Sequence, residues 1–153
     1  MTLSPQMARL FDEAQDLHQA GRLADAKTRY ERILAADPRH GPTLHMVGLM
    51  AHQVGQNDVA VDLLTRAAAL DPGSAALHSN LALALRGLGR NTEAVASLRR
   101  ALAIRPDSAE AHSNLGNALM EQGEVAAATQ SFRRAVELNP GLAAAQANLG
   151  DAL

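Results

Sequence analysis

The chain has no cysteine and no tryptophan, and its only aromatic residues are one tyrosine and two phenylalanines among 153 residues. Without cysteine, disulfides and thiolate metal sites are excluded. With so few aromatic residues and many alanines, the interior must be built by packing small side chains against aliphatic ones.

The chain also lacks a surplus of positive charge, since 14 Lys and Arg residues against 16 Asp and Glu residues give a net charge of −2. Nucleic acids and anionic membranes are usually bound through basic patches, so we expect neither as a partner. The N-terminus does not resemble a secretory signal, and no stretch approaches the ~18 consecutive apolar residues of a membrane span. We therefore predict a soluble, cytoplasmic protein. No GxGxxG or GxxxxGK loop and no nucleophile–base pair is found, so we predict no enzymatic activity for this chain and no cofactor.

What the chain does have is an internal repeat with a period of 34 residues. A glycine, a proline, an alanine and a large apolar residue each recur four times at this spacing, and a fixed period of this size indicates a solenoid of stacked units. The four columns are Gly21, Gly55, Gly89 and Gly123; Pro38, Pro72, Pro106 and Pro140; Ala26, Ala60, Ala94 and Ala128; and Tyr30, Leu64, Leu98 and Phe132.

The repeat resembles the tetratricopeptide repeat (TPR) family. The fourth repeat matches the family pattern as His112-x-x-Leu115-Gly116-x-x-Leu119, followed by Ala128-x-x-x-Phe132 and Pro140, with His112 in place of the usual tryptophan. The resemblance implies an all-α fold, a right-handed α-solenoid of antiparallel helix pairs. It implies a single array with repeats at about 7–40, 41–74, 75–108 and 109–142 and a partial fifth repeat at 143–153. Because the fifth repeat has only a first helix, we predict that the chain is an N-terminal fragment of a longer protein.

Local signals mark the ends of the helices. Gly21 is predicted to end the first helix in the left-handed conformation that glycine adopts without steric cost. The predicted N-caps are Ser4, Ser74 and Ser108 for first helices, and Asn57 and Asn91 for second helices. A column of small residues is predicted to let the two helices of each repeat approach closely: Ala14, Gly48, Ala82 and Gly116.

In the TPR family, a concave groove is lined by positions 2, 5, 6, 9, 12 and 13 of each repeat. Carried onto this chain, these positions predict a groove that is apolar in its first half and rich in amides in its second half. The predicted peptide-binding residues are Phe11, His45, Met46, Leu49, Asn80, Leu83, Arg86, Asn114, Asn117 and Asn148.

Asparagine recurs at position 6 of the last three repeats, as Asn80, Asn114 and Asn148. These repeats resemble those of O-linked N-acetylglucosamine transferase, where an asparagine ladder holds the backbone of an extended peptide. A side-chain amide both donates and accepts, so it can pair with a peptide N–H and C=O together. The alternative is that the three asparagines are ordinary solvated residues of the helix surface.

These observations favour a non-catalytic scaffold for protein–protein interaction, which binds an extended peptide or a partner segment in its groove. Two alternatives stay open. The chain could be the substrate-recognition arm of a larger enzyme similar to O-linked N-acetylglucosamine transferase, or it could self-assemble into a homo-oligomer through its C-terminal partial repeat. A clamp for an acidic chaperone tail is not expected, because Arg86 is the only arginine at the groove positions.

Two further sets of residues suggest sites of other kinds. The six histidines are not expected to hold a metal, because side chains on neighbouring repeats start about 10 Å apart. The arginines of the second helices are predicted to form a solvated outer face, with docking of an acidic partner as the alternative. They are Arg32, Arg66, Arg100 and Arg134, with Arg99 and Arg133 beside them.

Overall fold

The computed structural model describes residues 3–153, which form nine α-helices and no strand. Helices alternate as first and second members of antiparallel pairs, and the ninth has no second member within this range. None of them is both long and apolar enough to cross a lipid bilayer. The helices are α1 (Pro5–Gln19), α2 (Leu23–Ala36), α3 (Gly41–Gln53), α4 (Asn57–Leu70), α5 (Ala75–Gly87), α6 (Asn91–Ile104), α7 (Ala109–Glu121), α8 (Val125–Leu138) and α9 (Ala143–Ala152).

The first helices begin where the sequence predicts. The hydroxyl of Ser4 accepts from the backbone N–H of Met7, and Ser74 and Ser108 cap α5 and α7 in the same way. Each bond satisfies one of the backbone donors that a helix leaves unpaired at its start. His40 caps α3 through its ring Nδ1, which accepts from the Thr43 backbone N–H at 3.3 Å.

The predicted caps of the second helices are wrong. Asn57 and Asn91 are the first residues inside α4 and α6, and the N-cap positions belong to Gln56 and Arg90, whose side chains make no capping bond. A capping side chain must belong to the residue just outside the helix, where the backbone is not yet helical. Asn57 instead bonds to a neighbouring helix, with its Oδ1 2.7 Å from Nδ1 of His52.

The turn inside each repeat depends on a left-handed glycine, as predicted. Gly21, Gly55, Gly89 and Gly123 have φ angles between 74° and 80°. An L side chain rarely adopts this conformation, whereas glycine does so freely. The turn therefore has the same geometry in all four repeats.

The contacts divide the chain into two units, of which unit 1 extends to Pro72 and unit 2 spans Gly73–Leu153. In unit 1, α1 packs on α2 and α3 packs on α4, and α2 also contacts α3. Its core contains Leu10, Ala14, Ala26, Tyr30, Ile33 and Met50.

Unit 2 repeats the same arrangement with five helices. The pairs are α5 with α6 and α7 with α8, and α9 packs against α8. The first helices also touch, because α7 contacts both α5 and α9. Leu98 and Phe132 are the largest fully buried side chains of this unit.

The column of small residues does bring the paired helices close together. A Cβ atom built on Gly48 would lie 2.8 Å from Cγ of Leu64, and one built on Gly116 would lie 2.6 Å from Cδ1 of Phe132. Ala82 is likewise fully buried. Each second helix thus seats its large residue against a glycine or alanine of the first helix.

Candidate functional site

Four asparagines lie on the first helices of unit 2, and together they form what we call the amide face: Asn80, Asn114, Asn117 and Asn148. Asn80 is on α5, Asn114 and Asn117 are one turn apart on α7, and Asn148 is on α9. All four are half-buried. Because α7 contacts both α5 and α9, the repeat brings these amides onto neighbouring helices.

The amide face contains one bond between repeats. Nδ2 of Asn148 donates to Oδ1 of Asn117 at 3.0 Å. The bond leaves both N–H groups of Asn117 and the Oδ1 of Asn148 available. Asn114 makes no hydrogen bond with any other residue of the described range, so its whole amide is available.

Arg86 is held by an ion pair within unit 2. Its Nη2 lies 2.6 Å from Oε1 of Glu121, which joins α5 to α7, and its side chain is only 22% exposed. The one cation predicted at the groove positions is therefore neutralised inside the protein. Two acidic side chains at the predicted groove positions of this unit, Glu110 and Asp151, are exposed.

The predicted groove residues of unit 1 lie against its core. Phe11 packs edge-on against the rings of Tyr30 and His40, with ring centroids 5.9 and 5.6 Å apart. Met46 also packs against this core, and both residues are half-buried.

The other two predicted groove residues of unit 1, His45 and Leu49, are half-buried on α3. Burial lowers the pKa of His45, so its imidazole is neutral at pH 7.

The sequence analysis missed a class of contact between neighbouring first helices. His18 Nε2 lies 3.2 Å from Oε1 of Gln53, and the residues of this pair are 35 apart in the chain. Arg86 and Glu121 have the same separation. A polar pair at a spacing of one repeat plus one residue is the signal that could have predicted both.

The histidines do not form a metal site in the part of the chain that the structure describes, where no group of three or more suitable side chains converges. His112 instead makes a contact between repeats, since its Nε2 donates to the carbonyl of Pro106 at 2.9 Å. Gln146, at the same position of the next repeat, bonds to the carbonyl of Pro140.

The arginines of the second helices are exposed, and two of the column form ion pairs on their own helices. Arg66 lies 3.7 Å from Asp62, and Arg134 lies 3.2 Å from Glu137. These pairs fit the predicted solvated outer face.

Three family models match the repeats. Two that are described as tetratricopeptide repeat match residues 11–75 and 109–142, and a third, described as TPR repeat, matches residues 82–123. The chain contains tetratricopeptide repeats. A search of the curated proteins found no match.

Solved TPR structures have the same fold. A crystal structure of MamA protein is 25% identical, with a TM-score of 0.87 over 95% of this chain and 80% of that one. The first TPR of Spaghetti (RPAP3), bound to the HSP90 peptide SRMEEVD, is 25% identical, with a TM-score of 0.72 over 76% of this chain and 92% of that one. The Arabidopsis OM64 TPR domain is 24% identical, with a TM-score of 0.71 over 73% and 93%. The fold is the all-α TPR solenoid.

Proposed function

We propose that this TPR chain is a protein-interaction scaffold, and that the amide face of unit 2 binds the backbone of an extended peptide or partner segment. The observation that carries the proposal is the unpaired amide of Asn114 beside the half-paired amides of Asn117 and Asn148. Half-buried amides without partners gain most from a ligand that both donates and accepts. A TPR neighbour bound to a peptide supports this type of ligand.

The spacing of the amides suits an extended chain. Packed helices lie about 8–10 Å apart, and an extended chain advances about 3.3 Å per residue. One first helix therefore corresponds to about three ligand residues. We expect Asn114 and the Asn117–Asn148 pair to contact peptide groups that are about three residues apart.

Amides alone do not hold such a ligand tightly. Each hydrogen bond contributes about 1 kcal/mol net, whereas ordering one residue of a flexible ligand costs about 1–2 kcal/mol. Apolar contact must supply the rest, and Leu83 and Met120 offer it because both are half-buried on the first helices of unit 2. In unit 1, Met46 and Leu49 are the corresponding apolar contacts.

The charge of the face indicates a neutral or basic ligand. Arg86 is paired with Glu121, while Glu110 and Asp151 are exposed and unopposed by a free groove cation in unit 2. An acidic peptide such as SRMEEVD would meet like charge here, which disfavours binding. This chain therefore differs in expected ligand charge from the peptide-bound neighbour.

The proposal is tested by selecting unstructured peptides from a random library on the immobilised chain. Selected peptides are expected to bind the double variant Asn114→Ala/Asn117→Ala at least tenfold more weakly. Methylation of one peptide nitrogen at a time should weaken binding at about every third residue. The matched control is Gln130→Ala, which removes an exposed amide from α8 and should leave the affinity unchanged. Equal affinity for the double variant, with its helicity preserved, would refute a role for the amide face.

A further inference from the structure

A second surface lies on α9, around Gly150. Gly150 follows Gly48 and Gly116 in the column of small residues, but its surroundings differ. A Cβ on Gly48 or Gly116 would collide with the large residue of the following helix, whereas a Cβ on Gly150 would meet nothing within 4 Å. The position has the shape of a socket without its occupant.

The neighbouring residues of α9 show the same contrast. Leu153 is 78% exposed, while Leu85 and Leu119, at the equivalent positions of α5 and α7, are 3% and 5% exposed. The opposite side of α9 is already packed, because Ala145 is fully buried and α9 contacts α8. Only the side formed by Leu149, Gly150 and Leu153, which we call the outer face of α9, is uncovered.

Four repeats of this chain show what covers such a face. In each, the second helix places a large residue opposite the small one and an alanine four residues before the large one. All of these residues are 0–1% exposed: Ala26 and Tyr30, Ala60 and Leu64, Ala94 and Leu98, and Ala128 and Phe132. Where the small residue is glycine, the large one is Leu64 or Phe132.

We propose that the outer face of α9 binds one amphipathic α-helix of a partner protein. The partner helix takes the place that second helices hold in the four repeats, with Phe or Leu seated on Gly150 and alanine one turn earlier. This inference is independent of the amide face, which lies at other positions of the first helices.

A second copy of this chain does not fit the face as well. Its own second helices are already used, since Ala128 and Phe132 are buried against α7. Two α9 helices packed against each other would join only ten residues on each side, about 15 Å of helix. Stable interfaces usually bury about 1,200–2,000 Å² with 20–30 residues on each side.

The test uses the full chain and a peptide with the sequence of α8, Val125–Leu138, as the probe. A lactam bridge at outward-facing positions keeps the peptide helical, because an isolated helix of this length is marginal in water. Binding is followed by fluorescence anisotropy. The Phe132→Ala peptide is expected to bind at least about 30-fold more weakly, as loss of a buried aromatic side chain predicts. The protein variant Gly150→Leu should also lose at least about 30-fold, because it fills the socket without a clash.

The matched control is Ala144→Leu, which adds the same side chain to α9 outside the outer face. Its equivalent in α7, Glu110, stays exposed although α8 covers Gly116, so this variant should bind as the unmodified chain does. The proposal is overturned if the helical peptide fails to bind at about 1 mM, or if the Phe132→Ala peptide binds equally well. It is also overturned if light scattering shows a dimer that Gly150→Leu dissociates, because the occupant would then be a second copy.

Discussion

The substitution of glycine by alanine should have opposite effects on stability at Gly116 and Gly150. The two positions are equivalent in the repeat and both lie inside a helix. At Gly116 the new methyl group would lie 2.6 Å from Cδ1 of Phe132, about 1 Å closer than carbon atoms pack in van der Waals contact. The ring of Phe132 is 1% exposed, so it has no free space into which to move.

The magnitudes follow from two competing effects. Alanine improves on glycine in a helix interior by about 0.5–1 kcal/mol. Overpacking a core contact costs about 1–3 kcal/mol. Gly116→Ala should therefore destabilise the protein by about 1–2 kcal/mol, whereas Gly150→Ala should stabilise α9 by about 0.5–1 kcal/mol, because nothing opposes the gain in helix propensity.

Native-state hydrogen exchange is the suitable assay, because neighbouring repeats need not unfold together and exchange reports α7 and α9 separately. Adding Phe132→Leu to Gly116→Ala should recover at least half of the loss, since Ala82 and Leu98 form that pair in the preceding repeat and both are fully buried. Repeat 1 seats Tyr30 opposite Ala14. If Gly116→Ala proved neutral, α7 and α8 would be free to adopt such a spacing, and the reasoning from a rigid contact would be refuted.

Three further perturbations test the structure. Burial raises the pKa of Tyr30 to about 12; since the pKa in the unfolded chain is about 10, stability should fall by about 1.4 kcal/mol per pH unit between pH 10 and 12 and be unaffected below that range. Its hydroxyl has no hydrogen-bond partner in the described structure, so Tyr30→Phe should abolish this loss in urea titrations at pH 9 and 11 without destabilising the protein at pH 7. Ser108→Ala removes the acceptor for the Ala111 N–H and should cost about 1 kcal/mol, which the exchange rates of the first turn of α7 would report. Arg86→Met breaks a partly exposed ion pair with Glu121; it should cost less than about 1 kcal/mol and less again in 1 M NaCl, and a larger loss that salt does not change would show that packing matters more.

Most of the fold could be predicted from the 34-residue period. Each column of the repeat has a local physical cause: the left-handed glycine ends the first helix, and the small residue admits the large one opposite. Both were confirmed at the named residues. Asn57 and Asn91 failed as caps because capping depends on a shift of a single residue at the helix start, and the chemical type of a residue does not specify that shift.

The candidate site could be predicted only in part. The family pattern selected the positions of Asn114, Asn117 and Asn148, but it did not predict that two of them bond to each other. It also did not predict that Arg86 is consumed by Glu121. Both contacts depend on the distance between helices of different repeats, which the spacing along the chain does not determine. The resemblance to O-linked N-acetylglucosamine transferase still rests on the sequence motifs alone.

Departures from the period indicate where function should be sought. A residue that keeps both its identity and its surroundings from repeat to repeat is explained by packing, as Ala94 and Ala128 are. Gly150 keeps the identity of Gly116 but has lost the neighbour that makes glycine necessary. At position 9, Leu83 stands where the next repeat has Asn117. Asn148 therefore has an amide neighbour on the preceding first helix, while Asn114 has an apolar one and no bond. Neither difference stabilises the solenoid, so each is better explained by something that the solenoid binds.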